Sequence, residues 1–181
     1  MKNPFIYLFL LGGTPNGRLI EQHDLFFGIA EKPQDLKNAI KNHWPEAGKS
    51  LHIDGYLKMH VVSGFSIKVS TQPATTDLKL FVFNLGGYKP GVFTEFHDLK
   101  IVIAKSLAEA TARVKKDLFF TDYNAKGAPA HVDDKYALDI DEVFQVNEHL
   151  KALYPDFTID ITPTDSPADE LILGYFPIDK F

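Results

Sequence analysis

An α+β protein built from two pseudo-symmetric ββαββ units is what this sequence predicts, and three observations carry the prediction. The stretch Leu11-Gly12-Gly13-x3-Gly17-x3-Glu21-x-His23-Asp24-Leu25-x3-Ile29-Ala30 returns as Leu85-Gly86-Gly87-x3-Gly91-x3-Glu95-x-His97-Asp98-Leu99-x3-Ile103-Ala104. The offset is a constant 74 residues, Gly12 to Gly86, and ten of the twenty positions are identical where about one would match by chance. An apolar run of strand length precedes each Gly-Gly, and a segment of helical spacing follows the second strand of each copy. The expected sheet is mostly antiparallel with helices packed on it; the alternative is a ferredoxin-like arrangement.

Phe5 to Leu11 is the first strand, ended by Gly12-Gly13 and the turn residues Thr14-Pro15-Asn16-Gly17. Asp24 to Ala30 is the second, with Leu25, Phe27 and Ile29 on one face at period two. Pro33 suits the first turn of a helix carrying Leu36, Ala39 and Ile40, which Pro45 stops after Trp44. His52-Ile53-Asp54, then Leu57, Met59 and Val61 alternating with Lys58 and His60, predict a third strand. Ser63-Gly64 turns the chain into a fourth, Phe65 to Ser70.

The second copy repeats this order. Leu80 to Leu85 is its first strand, and Ser106 and Glu109 are spaced as a capping box ahead of Leu107, Ala110 and Val114. His131-Val132-Asp133 matches His52-Ile53-Asp54, and Phe157 to Thr162 matches Phe65 to Ser70; the insertion between them predicts a short helix at about 146–153. Repeat unit 1 is then residues 1–76 and repeat unit 2 residues 77–181, the two packing as one globule. The tail Leu171 to Phe176 is expected to form a last strand covering an edge of the second unit. Trp44, Phe119 and Phe120 follow helix ends and read as core lids.

With 181 residues, 45% of them hydrophobic, the chain is large enough to bury a real core. A net charge of -5 with no run of Lys or Arg argues against nucleic acid or an anionic membrane as the main partner. Zero cysteines exclude disulfides, thiolate metal sites and Cys nucleophiles, and fit a reducing compartment. The apolar opening is short, lacks a small-residue cleavage site and has a counterpart before the second Gly-Gly, so it reads as a strand and not a signal peptide. The expected setting is cytoplasmic.

Glu21 and His23 share the parity of Leu25, Phe27 and Ile29, while Asp24 points the other way. A right-handed strand–helix–strand crossover makes strands two and three parallel, which brings their beginnings together at the end where the Gly-Gly loop lies. The candidate ligand-binding residues of the first unit are therefore Gly12, Gly13, Arg18, Glu21, His23, Asp24, His52 and Asp54. Their second-copy equivalents are Gly86, Gly87, Glu95, His97, Asp98, His131 and Asp133. Imidazole and carboxylate together suit a divalent first-row metal, with His23, His52, Asp24 and Asp54 as candidate ligands. In the competing reading these side chains cap strand ends and satisfy one another, while the glycines supply positive φ.

The copies are not equal: Arg18 and Thr14-Pro15-Asn16 become Val92 and Tyr88-Lys89-Pro90, so the first keeps more groups able to hold an anionic ligand. Gly12-Gly13-x3-Gly17 leads into a strand and is no dinucleotide fingerprint; a nucleophile elbow and a His-Glu-x-x-His motif are both missing.

Gly-Gly-x3-Gly-Arg-x2-Glu-x-His-Asp followed by His-Ile-Asp resembles a small bacterial family known as a domain of unknown function, occurring in one or two copies per chain. The resemblance covers roughly residues 7–70 and 81–162. It implies the repeat boundaries and a bacterial, intracellular setting, and it implies no reaction, substrate or catalytic residue. The expected function is a small non-enzymatic binding module for a small ligand, ion or protein partner, acting at the Gly-Gly, Glu-x-His-Asp and His-x-Asp end of the first unit. The alternatives are a metal-dependent hydrolase with Glu21 as general base, and a structural or homo-oligomerising protein.

Overall fold

A computed structural model describes residues 3–88, 91–116 and 138–181; His131, Asp133, Phe119 and Phe120 lie outside the described residues. In chain order the strands and helices are β1 (Phe5–Gly13), β2 (Gln22–Ala30), α1 (Lys37–His43), β3 (His52–Met59), β4 (Val61–Val62), β5 (Phe65–Ser70), β6 (Lys79–Tyr88), β7 (Glu95–Ala104), α2 (Leu107–Val114), β8 (Leu138–Gln145), α3 (Val146–Leu153), β9 (Thr158–Pro163) and β10 (Leu171–Pro177). Short 3-10 turns flank α1 at Pro33–Leu36 and Pro45–Ser50 and close the chain at Ile178–Lys180. The architecture is α+β, and every strand pairing among the described residues is antiparallel.

The chain divides into two units, residues 1–76 with 150–181, and residues 77–149. In the first, β1 is central in a sheet of order β10-β3-β1-β2, and a second sheet has the order β4-β5-β9. Since β2 and β3 both run antiparallel to β1, they are parallel to each other and begin at the same sheet end. The first two strands are a hairpin with no helix between them, which is not the ferredoxin-like order.

Two expectations about the C-terminal region are corrected. β10 pairs with β3 and β9 with β5, so residues 150–181 complete the first unit and do not cover the second. The reason is apolar anchoring: Ile178 is buried in the first-unit core, with Phe176 and Phe181 packed against it. The insertion does form a helix, α3, over Val146–Leu153.

One face of the first sheet presents Tyr7, Phe9, Leu11, Phe26, Ala30 and Ile53 to Leu36 and Ile40, with Trp44 partly buried against them. In the second unit, Phe81, Phe83, Leu85 and Ala104 pack with Ala110 and Val114 of α2. The start of α2 is capped, since Ser106 Oγ accepts from Glu109 N–H (3.2 Å) and the Glu109 carboxylate accepts from Lys105 N–H (3.0 Å).

β1 runs through both glycines instead of ending before them. Pairing with β3 passes from Leu10–Gly55 directly to Leu11–Ile53, so Asp54 is the extra residue of a β-bulge. The bulge shifts the alternation, and Ile53 and Tyr56 both reach the helix-side core. His52 and Asp54 are left on the opposite face. β8 carries the same irregularity against β6, where pairing passes from Asn84–Glu142 to Leu85–Ile140 around Asp141.

Candidate functional site

Gly12 is the cross-strand neighbour of His23 on β2 and of His52 on β3. That double register brings the beginnings of both outer strands against one glycine. A Cβ at Gly12 would lie 2.3 Å from His52 Nε2 and 2.6 Å from Asp54 Oδ2, so the missing side chain is the space the cluster occupies.

Around that space four side chains alternate. His52 Nε2 lies 3.2 Å from Glu21 Oε1 and 3.2 Å from Asp54 Oδ1. His23 Nε2 lies 3.2 Å from Asp54 Oδ2 and 3.9 Å from Glu21 Oε2. Each carboxylate thus spans both imidazoles. His52 is 3% exposed and is the buried polar side chain of the core among the described residues, whereas His23 and Glu21 are about half exposed. Asp54 Oδ2 is buried and makes no well-aligned hydrogen bond, its polar contact being the His23 Nε2 ion-pair distance of 3.2 Å, an arrangement that is costly unless something else compensates it.

The ring of His52 is fixed from behind. Its Nδ1–H donates to the Ser50 carbonyl at 2.8 Å, which makes Nε2 of the neutral ring a lone-pair nitrogen aimed at two carboxylate oxygens. Ser50 is held in turn: its Oγ accepts from Thr14 N–H (2.8 Å) and donates to the Ala47 carbonyl (2.6 Å), latching the loop after β1 to the turn before β3. Tyr175 of β10 lies against the His52 ring, tilted, with centroids 4.3 Å apart.

Asp24 is not part of this cluster. It lies across from Leu11, on the helix side of the sheet, and its carboxylate meets His43 Nε2 of α1 at 2.9 Å. That hydrogen bond holds Asp24 below the usual carboxylate range and raises His43 above the ordinary imidazole value, against the opposing effect of burial on each. Glu21 replaces Asp24 as the group beside the imidazoles. Gly13 also faces the helix side, where a Cβ would meet Ala47 at 2.8 Å, and Arg18 is exposed on the intervening loop. Of the loop glycines expected to take positive φ, Gly17 (82°) and Gly91 (77°) do so, whereas Gly12 and Gly13 lie in extended β1.

The second unit holds a reduced version. His97 Nε2 lies 3.3 Å from Asp141 Oδ2 and 3.8 Å from Glu95 Oε2, and the ligand atoms of the three fall within 4.8 Å of one another. Asp141 Oδ2 occupies the space a Cβ at Gly86 would need, just as Asp54 does at Gly12. The position across from Gly86 that corresponds to His52 is Asp139, so the buried imidazole has no counterpart there. Asp98 pairs with Lys100 at 3.1 Å, Gly87 lies across from Phe96 and Leu138, and the Glu95 carboxylate, accepting from the Tyr88 phenol, pushes that phenol up. Sequence matching missed Asp141 because His131-x-Asp133 preserves both polar residues; the available signal was Ile140-Asp141, which repeats Ile53-Asp54 at the head of a strand. Tyr175 and Ser50 carried no repeat signal at all.

Comparison with known proteins places part of this chain. A domain of unknown function, DUF1543, is found at residues 18–69. The DUF1543 stretch contains all four clustered side chains, Glu21, His23, His52 and Asp54, and leaves Gly12 and Tyr175 outside it. No curated protein matches the sequence. Among solved structures, the crystal structure of a protein Il1583 from Idiomarina loihiensis is similar with a TM-score of 0.64 and 20% identity, over 97% of this chain and 98% of that one. At that identity the likeness speaks for the fold alone.

Proposed function

We propose that this protein is a binding module whose first unit holds a divalent first-row metal ion between Glu21, His23, His52 and Asp54. The observation that carries the reading is the His52 imidazole: buried, with Nδ1–H committed to the Ser50 carbonyl and Nε2 turned toward two carboxylate oxygens at 3.2 Å. Such an arrangement needs positive charge between nitrogen and oxygens. A backbone carbonyl behind the distal nitrogen is how metal-ligating histidines are commonly oriented. A tetrahedral ion with bonds of 2.0–2.1 Å sets its ligand atoms about 3.3 Å apart; three imidazole–carboxylate contacts in the cluster are 3.2 Å, through different oxygens of Asp54, so the side chains would have to draw in around an ion, whereas the trio Glu95, His97 and Asp141 already has its ligand atoms within 4.8 Å of one another. With both imidazoles neutral the cluster carries two negative charges, which a dication balances, and the buried Asp54 Oδ2, which makes no aligned hydrogen bond, is satisfied.

A proton on His52 is the competing occupant. The hydrolase reading is weaker, because both oxygens of Glu21, its intended general base, face imidazoles. We read β6, β7, α2 and β8 of the second unit as a copy of β1, β2, α1 and β3, a reading supported by the shared offset, the shared bulge and the shared glycine space, while the strand that would complete a second ββαββ module, β9, pairs with β5 of the first unit. On this reading the setting is a bacterial cytoplasm, and the partners are ions, small ligands or a second copy. Nucleic acid and anionic membranes suit a net charge of -5 poorly.

The test is thermal unfolding of untagged, chelator-stripped protein with Zn2+, Co2+, Ni2+, Mn2+ and Mg2+, alongside His52→Ala and His23→Ala. The first-row ions are expected to raise the midpoint of the wild type and not of the variants. No shift with any ion, and no metal in protein as purified, leaves the proton as the occupant and rejects the reading.

A further inference from the structure

The His52 ring is held on its nitrogen edges by the Ser50 carbonyl and the two carboxylates, and it lies over the empty side-chain position of Gly12. Tyr175 also lies against it, with ring centroids 4.3 Å apart at an interplanar angle of 37°. Tyr175 is itself 67% exposed, so it covers a buried imidazole while burying little of its own surface.

A specific backbone device turns Tyr175 onto His52. Pairing of β10 with β3 passes from Leu173–Gly55 to Phe176–Ile53, so β10 also bulges, at Gly174 and Tyr175, opposite Asp54. Gly174 takes φ 154°, a conformation open to glycine and strained for other residues. The bulge lets Phe176 enter the first-unit core while Tyr175, the residue before it, lies on the histidine. β10 lies outside the duplicated stretch, and the second-unit sheet, of order β7-β6-β8, has no such strand beside β8 among the described residues.

We infer that Tyr175 is a positioning residue that clamps the His52 ring and thereby sets how tightly and how long the first unit holds its metal ion. This rests on the proposed metal site. An electron-rich phenol ring against an imidazole favours the imidazole when it carries positive charge, as it does with a metal on Nε2, and restricts rotation about χ2. Partners that orient a metal-ligating histidine typically change affinity ten- to a hundredfold when removed, and the same range is expected of Tyr175.

The experiment compares wild type, Tyr175→Phe and Tyr175→Ala in two arms. In the first, the Zn2+ dissociation constant and the rate of Zn2+ loss to a chelator are measured. Tyr175→Ala should weaken affinity and speed loss by about tenfold or more, and Tyr175→Phe should match the wild type. Equal behaviour of Tyr175→Ala and wild type overturns the inference. The second arm needs no metal: the His52 Cε1–H resonance, moved by the Tyr175 ring current, should be sharp in wild type and Tyr175→Phe and should move and broaden in Tyr175→Ala. An unchanged resonance rejects the clamp, whereas a changed one in a protein that takes up no Zn2+ rejects the metal site and leaves the clamp standing. Urea midpoints of the metal-free proteins identify any variant whose loss reflects unfolding.

Discussion

Gly12 on β1 and His52 on β3 are direct cross-strand partners, and a methyl group on Gly12 would stand 2.3 Å from His52 Nε2. Gly12→Ala therefore has to push aside a buried ring whose other sides are already committed. The expected cost is about 1–3 kcal/mol by urea unfolding, with loss of any metal-induced stabilisation. At Gly86 the three atoms nearest an added methyl all belong to the Asp141 carboxylate, the end of a side chain 27% exposed, so Gly86→Ala should cost less.

The Asp24–His43 pair predicts a pH window. His43 is raised above its ordinary value near 6.5 by the Asp24 hydrogen bond, so its contribution is fully present below that value and fades as pH rises through the raised one. Asp24 is lowered below 3.8 by the same bond, so its contribution is present above 3.8 and fades as pH falls through the lowered value. His43→Gln should therefore lose the most stability relative to wild type between about pH 4 and 6.5, and the two urea midpoints should converge at either extreme. A difference independent of pH would contradict the pairing.

Assignment of the tail to the first unit can be read through Trp44, the single tryptophan, which packs against the same core as Ile178. Ile178→Ala is expected to destabilise the transition followed by Trp44 fluorescence by about 2–5 kcal/mol. An unshifted Trp44 transition would detach the tail from this core.

Asymmetry between the units predicts metal stoichiometry. With one imidazole in the second-unit cluster among the described residues, against two in the first, one of them buried, calorimetry should find one tight Zn2+ per chain, abolished by His52→Ala and indifferent to His97→Ala. Two sites of equal affinity would mean that the buried His52 imidazole confers no advantage on the first unit.

Strand and helix periodicity made much of this architecture legible. The parity of Glu21, His23 and Asp24 along β2, and the common starting end of β2 and β3, were both deducible because a hairpin and a helical crossover leave few arrangements open. Three things were not. A bulge has no composition signal, so the loss of one register step at Asp54 and Asp141 was invisible, and with it the correct partner for the second unit. Gly12 and Gly13 resembled a loop because the reason for glycine, a neighbour's side chain lying over the backbone, is tertiary. The tail went to the wrong unit because a short apolar strand names no partner, and its pairing is decided by where Phe176, Ile178 and Phe181 find a core.

The most direct test is anomalous diffraction from crystals of the untagged protein grown with Zn2+, with data collected at the zinc edge. The account predicts a peak about 2 Å from His52 Nε2 and within bonding reach of His23, Glu21 and Asp54. A map without a peak there, with His52 Nε2 in hydrogen bonds to both carboxylates, would contradict it.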